Sequence, residues 1–379
     1  MIHYGHQFIT QEDISSVVEV LNSDFITQGP QIENFEKDIA NFVNVKHVIA
    51  MNSATSALHV ACLSLGLGDG DFLWTSTNTF VASSNSALMC GANVDFVDID
   101  PKTFNMCLTS LEEKLIQAKI DGSLPKVLMV VHFGGLPVEM KKIKELSNRY
   151  NFKIIEDASH AVGASYMGGK VGNCEYSDIT VFSFHPVKII TTAEGGCLLT
   201  NDDLICHNAK LLRSHGIERN NINKQKEEPW LYQQEKLGFN YRMTDLQAAL
   251  GISQLKKISQ FINKRQELLI LYKERLKNYP ISFQEHTPNC DSSNHLLPIL
   301  FESNKTRLSV FQQMRKDQIM VNIHYIPVHT QPFYKKLGFK IGAFPKAEEY
   351  YKRTLSLPMH PGLKESDIDY IVGSLEKNF

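Results

Sequence analysis

The chain has 379 residues, of which 43% are apolar and 21% charged, and its formal net charge is −2. That length allows two domains or one oversized one, and the composition is ordinary for a globular protein. There is no basic excess, no apolar leader in Met1–Asp13, no ~20-residue apolar span and no CxxC pair among the seven cysteines, which argues against nucleic acid, membrane insertion, structural zinc and disulfides and predicts a cytoplasmic protein.

In chain order, the first stretch, to about residue 45, carries helical signals. Thr10 precedes Asp13 by three, as in a capping box, and Ile14, Val17, Val18 and Leu21 follow at helical spacing. From His47 onward short apolar runs alternate with longer amphipathic ones. Strands are predicted at His47–Met51, Val94–Val97, Val127–His132, Phe152–Glu156, Ile179–Phe184 and Cys197–Thr200, with helices at Thr55–Leu65, Val138–Tyr150 and Asp202–Ser214 between them. Such alternation implies an α/β domain with a mainly parallel sheet. Thr244, with Gln247 three residues on, opens the longest helical pattern, which runs to about Tyr279 and stops at Pro280. A strand (His295–Phe301), a helix (Arg307–Lys316), a strand (Met320–Tyr325) and a final helix (Glu365–Glu376) follow. The domain boundary is expected after residue 255, giving domains 1–255 and 256–379.

Two glycine-rich stretches fail as phosphate loops. In Gly163-Ala-Ser-Tyr-Met-Gly-Gly-Lys170 the first glycine is misplaced and Val171 stands where a Ser or Thr must ligate magnesium. Gly66-Leu-Gly68-Asp-Gly70 has the wrong spacing for a dinucleotide fingerprint and follows a helix, so both read as turns.

Three other segments carry chemistry as a set. Asn52-Ser-Ala-Thr-Ser56 joins a buried strand to a helix, so its free N–H groups and the helix dipole form an anion cradle, though alone it could be a plain cap. Ile154-Ile155-Glu156-Asp157 delivers two carboxylates to a strand's C-terminal end, where open α/β sheets bind ligands; one could hold a positive ring nitrogen. Asp178–Lys188 is a strand ending in Ser183, His185 and Lys188, and a desolvated lysine there can become a Schiff-base nucleophile. Cradle, acid and amine are the three anchors that pyridoxal phosphate needs for its phosphate, ring nitrogen and aldehyde.

The chain resembles the pyridoxal-phosphate-dependent sugar-nucleotide aminotransferases of the DegT/StrS type over essentially its full length. The resemblance is carried by Thr27-Gln-Gly-Pro30, Asn52–Ser56, Thr79-Phe-Val-Ala82, Val97-Asp-Ile-Asp100, Glu156-Asp-Ala-Ser-His160, Ser183–Lys188, Glu194-Gly-Gly196, Gly238-Phe-Asn-Tyr-Arg242 and His324-Tyr-Ile-Pro327. Leu211–Gly216 and Val321–Pro327 are similar to the members that aminate C4 of a UDP-linked 2-acetamido-2,6-dideoxy-4-keto sugar on the route to pseudaminic acid. One departure is Thr75-Ser-Thr-Asn78, where relatives often carry a proline.

The resemblance implies an aspartate-aminotransferase-like, fold type I domain with a mainly parallel seven-stranded sheet, plus a smaller C-terminal α/β domain. It implies that Lys188 is the covalent anchor and proton carrier, that Asp157 pairs with the pyridinium nitrogen, that Phe80 stacks on the ring and that His160 lies near its phenolic oxygen. Ala54 and Thr55 N–H groups and the Ser183 hydroxyl would hold the phosphate, and Asn240 would reach the neighbouring subunit's site in an obligate homodimer. Tyr4, Asp24, Phe25, Ile26, Thr27, Asn322, Ile323, His324 and Tyr325 match segments that line the sugar-nucleotide site. L-Glutamate is expected as amino donor on the family's account, since no arginine pair stands out for its carboxylates, and no metal is expected. The alternatives are an aminotransferase of another nucleotide keto sugar (another epimer, dTDP- or GDP-linked, or aminated at C3) and a non-catalytic cofactor-binding regulator.

Overall fold

The structure, a computed structural model, describes residues 1–218 and 230–379. Its centre is a seven-stranded sheet in the order His47–Met51, Gly196–Thr200, Ile179–Ser183, Lys153–Asp157, Val127–Val131, Phe72–Ser76, Asn93–Val97. Gly196–Thr200 runs antiparallel to both neighbours, and the other pairings are parallel. Phe72–Ser76, absent from the strands predicted by periodicity, fills the place between Val127–Val131 and Asn93–Val97.

Alternation along each strand splits the side chains between two cores. Ile49, Met129, Ile155, Val181 and Leu198 pack beneath helices Ala54–Ser64, Val81–Met89 and Asp203–Arg213. On the other face, Ala50, Phe182 and Leu199 meet helices Pro30–Val43 and Asp245–Leu255, while Leu128, Val130 and Ile154 meet Leu108–Asp121 and Met140–Tyr150. A sheet buried on both faces is what an all-apolar run such as Val127–Val131 requires.

The C-terminal part has its own core, built from helices Ile258–Leu276, Asn304–Lys316 and Glu365–Glu376 against an antiparallel sheet of Ile281–Phe283, Leu297–Phe301 and Thr354–Leu357. The chain's first residues join this part: Ile2–His3 pairs in parallel with Ile319–Met320.

Two predicted elements differ. The long helix is two, Asp245–Leu255 and Ile258–Leu276, separated at Lys256 and Lys257. Lys257 Nζ donates to Thr10 Oγ1 and Asp13 Oδ1, each at 2.7 Å, so the junction is tied to the N-terminal helix Gln11–Leu21. The strand predicted at Met320–Tyr325 is only Ile319–Met320, because His324 is held by side-chain bonds rather than a ladder: its Nδ1 lies 2.8 Å from Ser356 Oγ, and its carbonyl accepts from Tyr350 Oη at 2.9 Å.

Candidate active site

The parallel strands end on one edge of the sheet, beside the reversed strand's first residue, Gly196, and a cavity of about 460 Å³ opens there. Ala54, Thr55, Phe80, Asp157, His160, Ser183 and Lys188 all line it, joined by Tyr4, Asn322, His324 and Tyr325 from the C-terminal side and the chain's start. Local folding explains each position. Ser53 caps helix Ala54–Ser64 by accepting from Ser56 N at 3.1 Å, which leaves the Ala54 and Thr55 N–H groups in the first turn, without acceptors inside the helix, at the cavity wall. Gly196 lets the sheet meet that turn: a Cβ there would stand 2.5 Å from Ala54 N and 2.6 Å from Ala54 Cα. This is the structural content of the Glu194-Gly-Gly196 motif.

The two neighbouring carboxylates part company. Glu156 shares a face with Ile154 and is buried among His132 (2.7 Å), Ser177 (2.5 Å) and Thr180 (3.0 Å). Burial pushes its carboxyl up, but those hydrogen bonds outweigh burial and leave it below the ordinary value. Asp157 shares the other face with Ile155 and lines the cavity; its Oδ2 accepts from Ser83 Oγ at 2.6 Å and its Oδ1 from Ser159 N at 3.2 Å. The carboxylate available to a ligand is therefore Asp157.

Lys188 follows strand Ile179–Ser183, and among the described residues no hydrogen bond or ion pair holds its amine. Burial lowers it to about 8, against the opposing pull of Asp157. His160 is driven well below its ordinary value chiefly by burial, with further lowering from the neighbouring Lys188 and His324, so its ring is neutral. Gly134 N–H donates to His160 Nδ1 at 3.3 Å, which leaves the ring proton on Nε2, facing the Tyr325 hydroxyl at 3.1 Å. Burial also raises the Tyr325 phenol and lowers His324 to about 3, keeping both neutral. The Phe80 ring, 57% exposed, stands 6.1 Å from the Tyr325 ring across the cavity mouth.

Other expected residues lie elsewhere. Asp24, Phe25, Ile26 and Thr27 form an exposed segment outside this cavity, anchored where Asp245 N donates to Ile26 O at 3.1 Å and Thr27 bridges Thr244. Ile323 packs against the C-terminal core. Asn240 is exposed and absent from the cavity lining; its backbone bridges Ser214, and its carbonyl accepts from Asn52 Nδ2 at 3.4 Å. Its flanking rings, Phe239 and Tyr241, stack on each other at 4.8 Å, beside the His59 ring of the cradle helix at 4.9 and 6.0 Å. The structure adds Thr79, Ser159, His185 and Glu194 to the cavity wall, and Ser83 behind it. The first four fall within or beside the quoted motifs, whereas Ser83 had no signal because a serine in an apolar helix ordinarily bonds its own backbone.

Residues 7–376 match the DegT/DnrJ/EryC1/StrS aminotransferase family. The chain belongs to that family. This aminotransferase is 39% identical over 378 residues to a Campylobacter jejuni UDP-4-amino-4,6-dideoxy-N-acetyl-beta-L-altrosamine transaminase, with 99% of this chain and 96% of the relative covered. Its fold matches that of PseC, a Helicobacter pylori aminotransferase involved in the biosynthesis of pseudoaminic acid, with TM-score 0.90, 32% identity and 100% and 99% of the two chains covered. It also matches a putative sugar aminotransferase of Streptococcus pneumoniae solved in its PLP-form, with TM-score 0.88, 27% identity and 99% of each chain covered. The fold is thus the type I aminotransferase fold that the sequence implied. Pyridoxal phosphate fits the cavity on the aminotransferase's own atoms: among the described residues, an unpartnered amine at Lys188, free first-turn N–H groups at Ala54 and Thr55, and an uncovered ring at Phe80.

Proposed function

We propose that this aminotransferase moves an amino group from L-glutamate to C4 of a UDP-linked 2-acetamido-2,6-dideoxy-4-keto-hexose, the chemistry named in its altrosamine transaminase relatives, as a cytoplasmic homodimer. One observation carries the reading of the chemistry: the buried amine of Lys188 faces the same cavity as the Asp157 carboxylate and the cradle of Ala54 and Thr55. Pyridoxal phosphate, when bound, supplies the electron sink that lets an amino group and a proton change places.

The protein's part is to hold and to move protons. Ala54 and Thr55 N–H groups with Ser183 Oγ would hold the phosphate, and Asp157 would keep the ring nitrogen protonated. Phe80 would cover one ring face, and His160 Nε2, 3.1 Å from the Tyr325 hydroxyl, would donate toward the phenolic oxygen. Lys188 is the amine that would hold the cofactor's aldehyde and would carry a proton on its Nζ during the transfer, a role suited to an amine lowered to about 8. Tyr4, Asn322 and His324, which line the same cavity, meet the sugar on this reading.

Support for a shared site comes from Asn240, which is exposed and outside its own chain's cavity lining while the flanking Phe239 and Tyr241 pack against the core. Asp24–Thr27, Ile323 and the sugar face are assigned to the substrate or the partner on the family's likeness. We place the division between the two domains at residue 255, beside the break at Lys256 and Lys257.

A panel of UDP-, dTDP- and GDP-linked 4-keto and 3-keto sugars, each incubated with L-glutamate and read by mass spectrometry, tests the substrate. The expected outcome is amination of the UDP-linked 4-keto-2-acetamido sugar well ahead of the rest. Amination confined to a 3-keto or dTDP-linked sugar would refute the substrate, and no amination of any sugar would refute the activity.

A further inference from the structure

Asp157 has a hydroxyl chain behind it. Ser83 Oγ donates to Asp157 Oδ2 at 2.6 Å, and Thr79 Oγ1 lies 2.8 Å from Ser83 Oγ. A serine hydroxyl has one proton; with it spent on the carboxylate, Ser83 can only accept from Thr79, so the chain is polarised in one direction, Thr79 to Ser83 to Asp157. All three are buried, at 2%, 0% and 6% exposure. Asp157 Oδ1 has its own donor, Ser159 N–H at 3.2 Å, so each carboxylate oxygen is gripped once from the protein side.

The neighbouring serines show what an unremarked helical serine does. Ser86 Oγ donates to Ser83 O at 2.8 Å and Ser84 Oγ reaches Val81 O at 3.1 Å, each bonding back within its own helix, Ser84 also meeting Tyr334 Oη at 2.6 Å. Ser83 Oγ instead gives its proton to a carboxylate on strand Lys153–Asp157. It also stands three residues after Phe80, the N-cap of helix Val81–Met89, so both side chains hang from one face of one turn.

We propose that Ser83, backed by Thr79, is a positioning residue that orients the Asp157 carboxylate toward the cofactor's ring nitrogen, so that a single helical turn aligns both the residue on the ring's face and the residue on its nitrogen. The proposal rests on the assignment of Asp157 to that nitrogen.

The test uses full-length enzyme loaded with pyridoxal phosphate labelled with ¹⁵N in the ring. Ser83→Ala is expected to lower kcat at least roughly tenfold with KM held, the weight of one hydrogen bond to a charged group, and to move the ¹⁵N resonance toward its unprotonated position. Thr79→Val, which keeps the shape and removes the hydroxyl, should shift both in the same direction by less, and it carries the test if Ser83→Ala does not fold. In an Asp157→Asn background, Ser83→Ala should add nothing, because the residue acts through that carboxylate. Wild-type kcat and resonance in both single variants, or fully additive losses in the double variant, would overturn the proposal. An Asp157→Asn enzyme with unchanged resonance and rate would overturn the underlying assignment as well, and so separates the two failures.

Discussion

Lys188 shows how one side chain's surroundings become its chemistry. An exposed lysine is a permanent cation near neutrality, whereas this one, in the cavity with Leu58, Phe80 and Tyr325, is lowered to about 8 by burial. The unfolded chain keeps a proton on this amine up to its ordinary value of roughly 10.4, so between those two values unfolding takes up a proton and stability rises with pH. Below about 8 the folded amine is charged too, and the cost of burying that charge is fully present. Cofactor-free Lys188→Met is therefore expected to be more stable than wild type at pH 7, with the gap closing as pH rises from 8 to 10.5; urea unfolding at three pH values measures it, and a gap that stays constant would contradict the assigned environment. Covalent capture of pyridoxal phosphate by the cofactor-free protein should likewise accelerate as pH rises through about 8. At this scale Ala54, Thr55, Asp157, Ser183 and Lys188 were legible because short motifs carry them. The choice of Asp157 over Glu156 was not legible from composition, since both are acids at one strand end; period-two alternation and the partners of each face decide it.

Among elements, a tight fit lies between strand Gly196–Thr200 and the first turn of helix Ala54–Ser64. The absent Cβ of Gly196 would press on backbone atoms, which cannot rotate aside. Gly196→Ala should push the cradle turn outward, at a cost of about 1–3 kcal/mol for overpacking. The expected result is at least a tenfold weaker affinity for pyridoxal phosphate (roughly, since 1.4 kcal/mol is tenfold) and a lower melting temperature, read by absorbance titration and a thermal melt. Unchanged affinity would show that the cradle tolerates the shift. The elements that periodicity missed have a common cause. Helical spacing of apolar residues runs unbroken through Lys256 and Lys257, so only the bonds of Lys257 to Thr10 and Asp13, some 240 positions away in sequence, reveal the break. Val321-Asn-Ile-His-Tyr325 alternates like a strand, yet beyond a single backbone bridge at Asn322 its bonds go to side chains of Ser356, Tyr350 and Asn78 instead of a ladder.

For the whole molecule, the decisive question is whether two chains build each site. If Asn240 serves the partner's cavity, mixing Lys188→Ala with an Asn240 variant inactive by itself, after dissociation and reassociation, puts both lesions in one site of each heterodimer and leaves the other whole. Half the dimers are then mixed and half their sites intact, so activity should return to roughly a quarter of wild type by the symmetry of an isologous dimer. Proven subunit exchange with no recovery would place Asn240 in its own chain's site.

By itself the sequence determined what is local and periodic: an alternating α/β chain, the caps at Thr10 and Thr244, the cradle, the strand-end acid and the lysine that together call for pyridoxal phosphate. Motif residues also named the family, because that signal is a set of fixed spacings. Only the tertiary structure decided which of the seven strands lie side by side, which face Asp157 takes, that Ile2–His3 joins the C-terminal elements, and that Ser83 turns from its own helix to the carboxylate. Each of these depends on contacts between residues far apart in the chain, which neither a period of 2 nor one of 3.6 can encode.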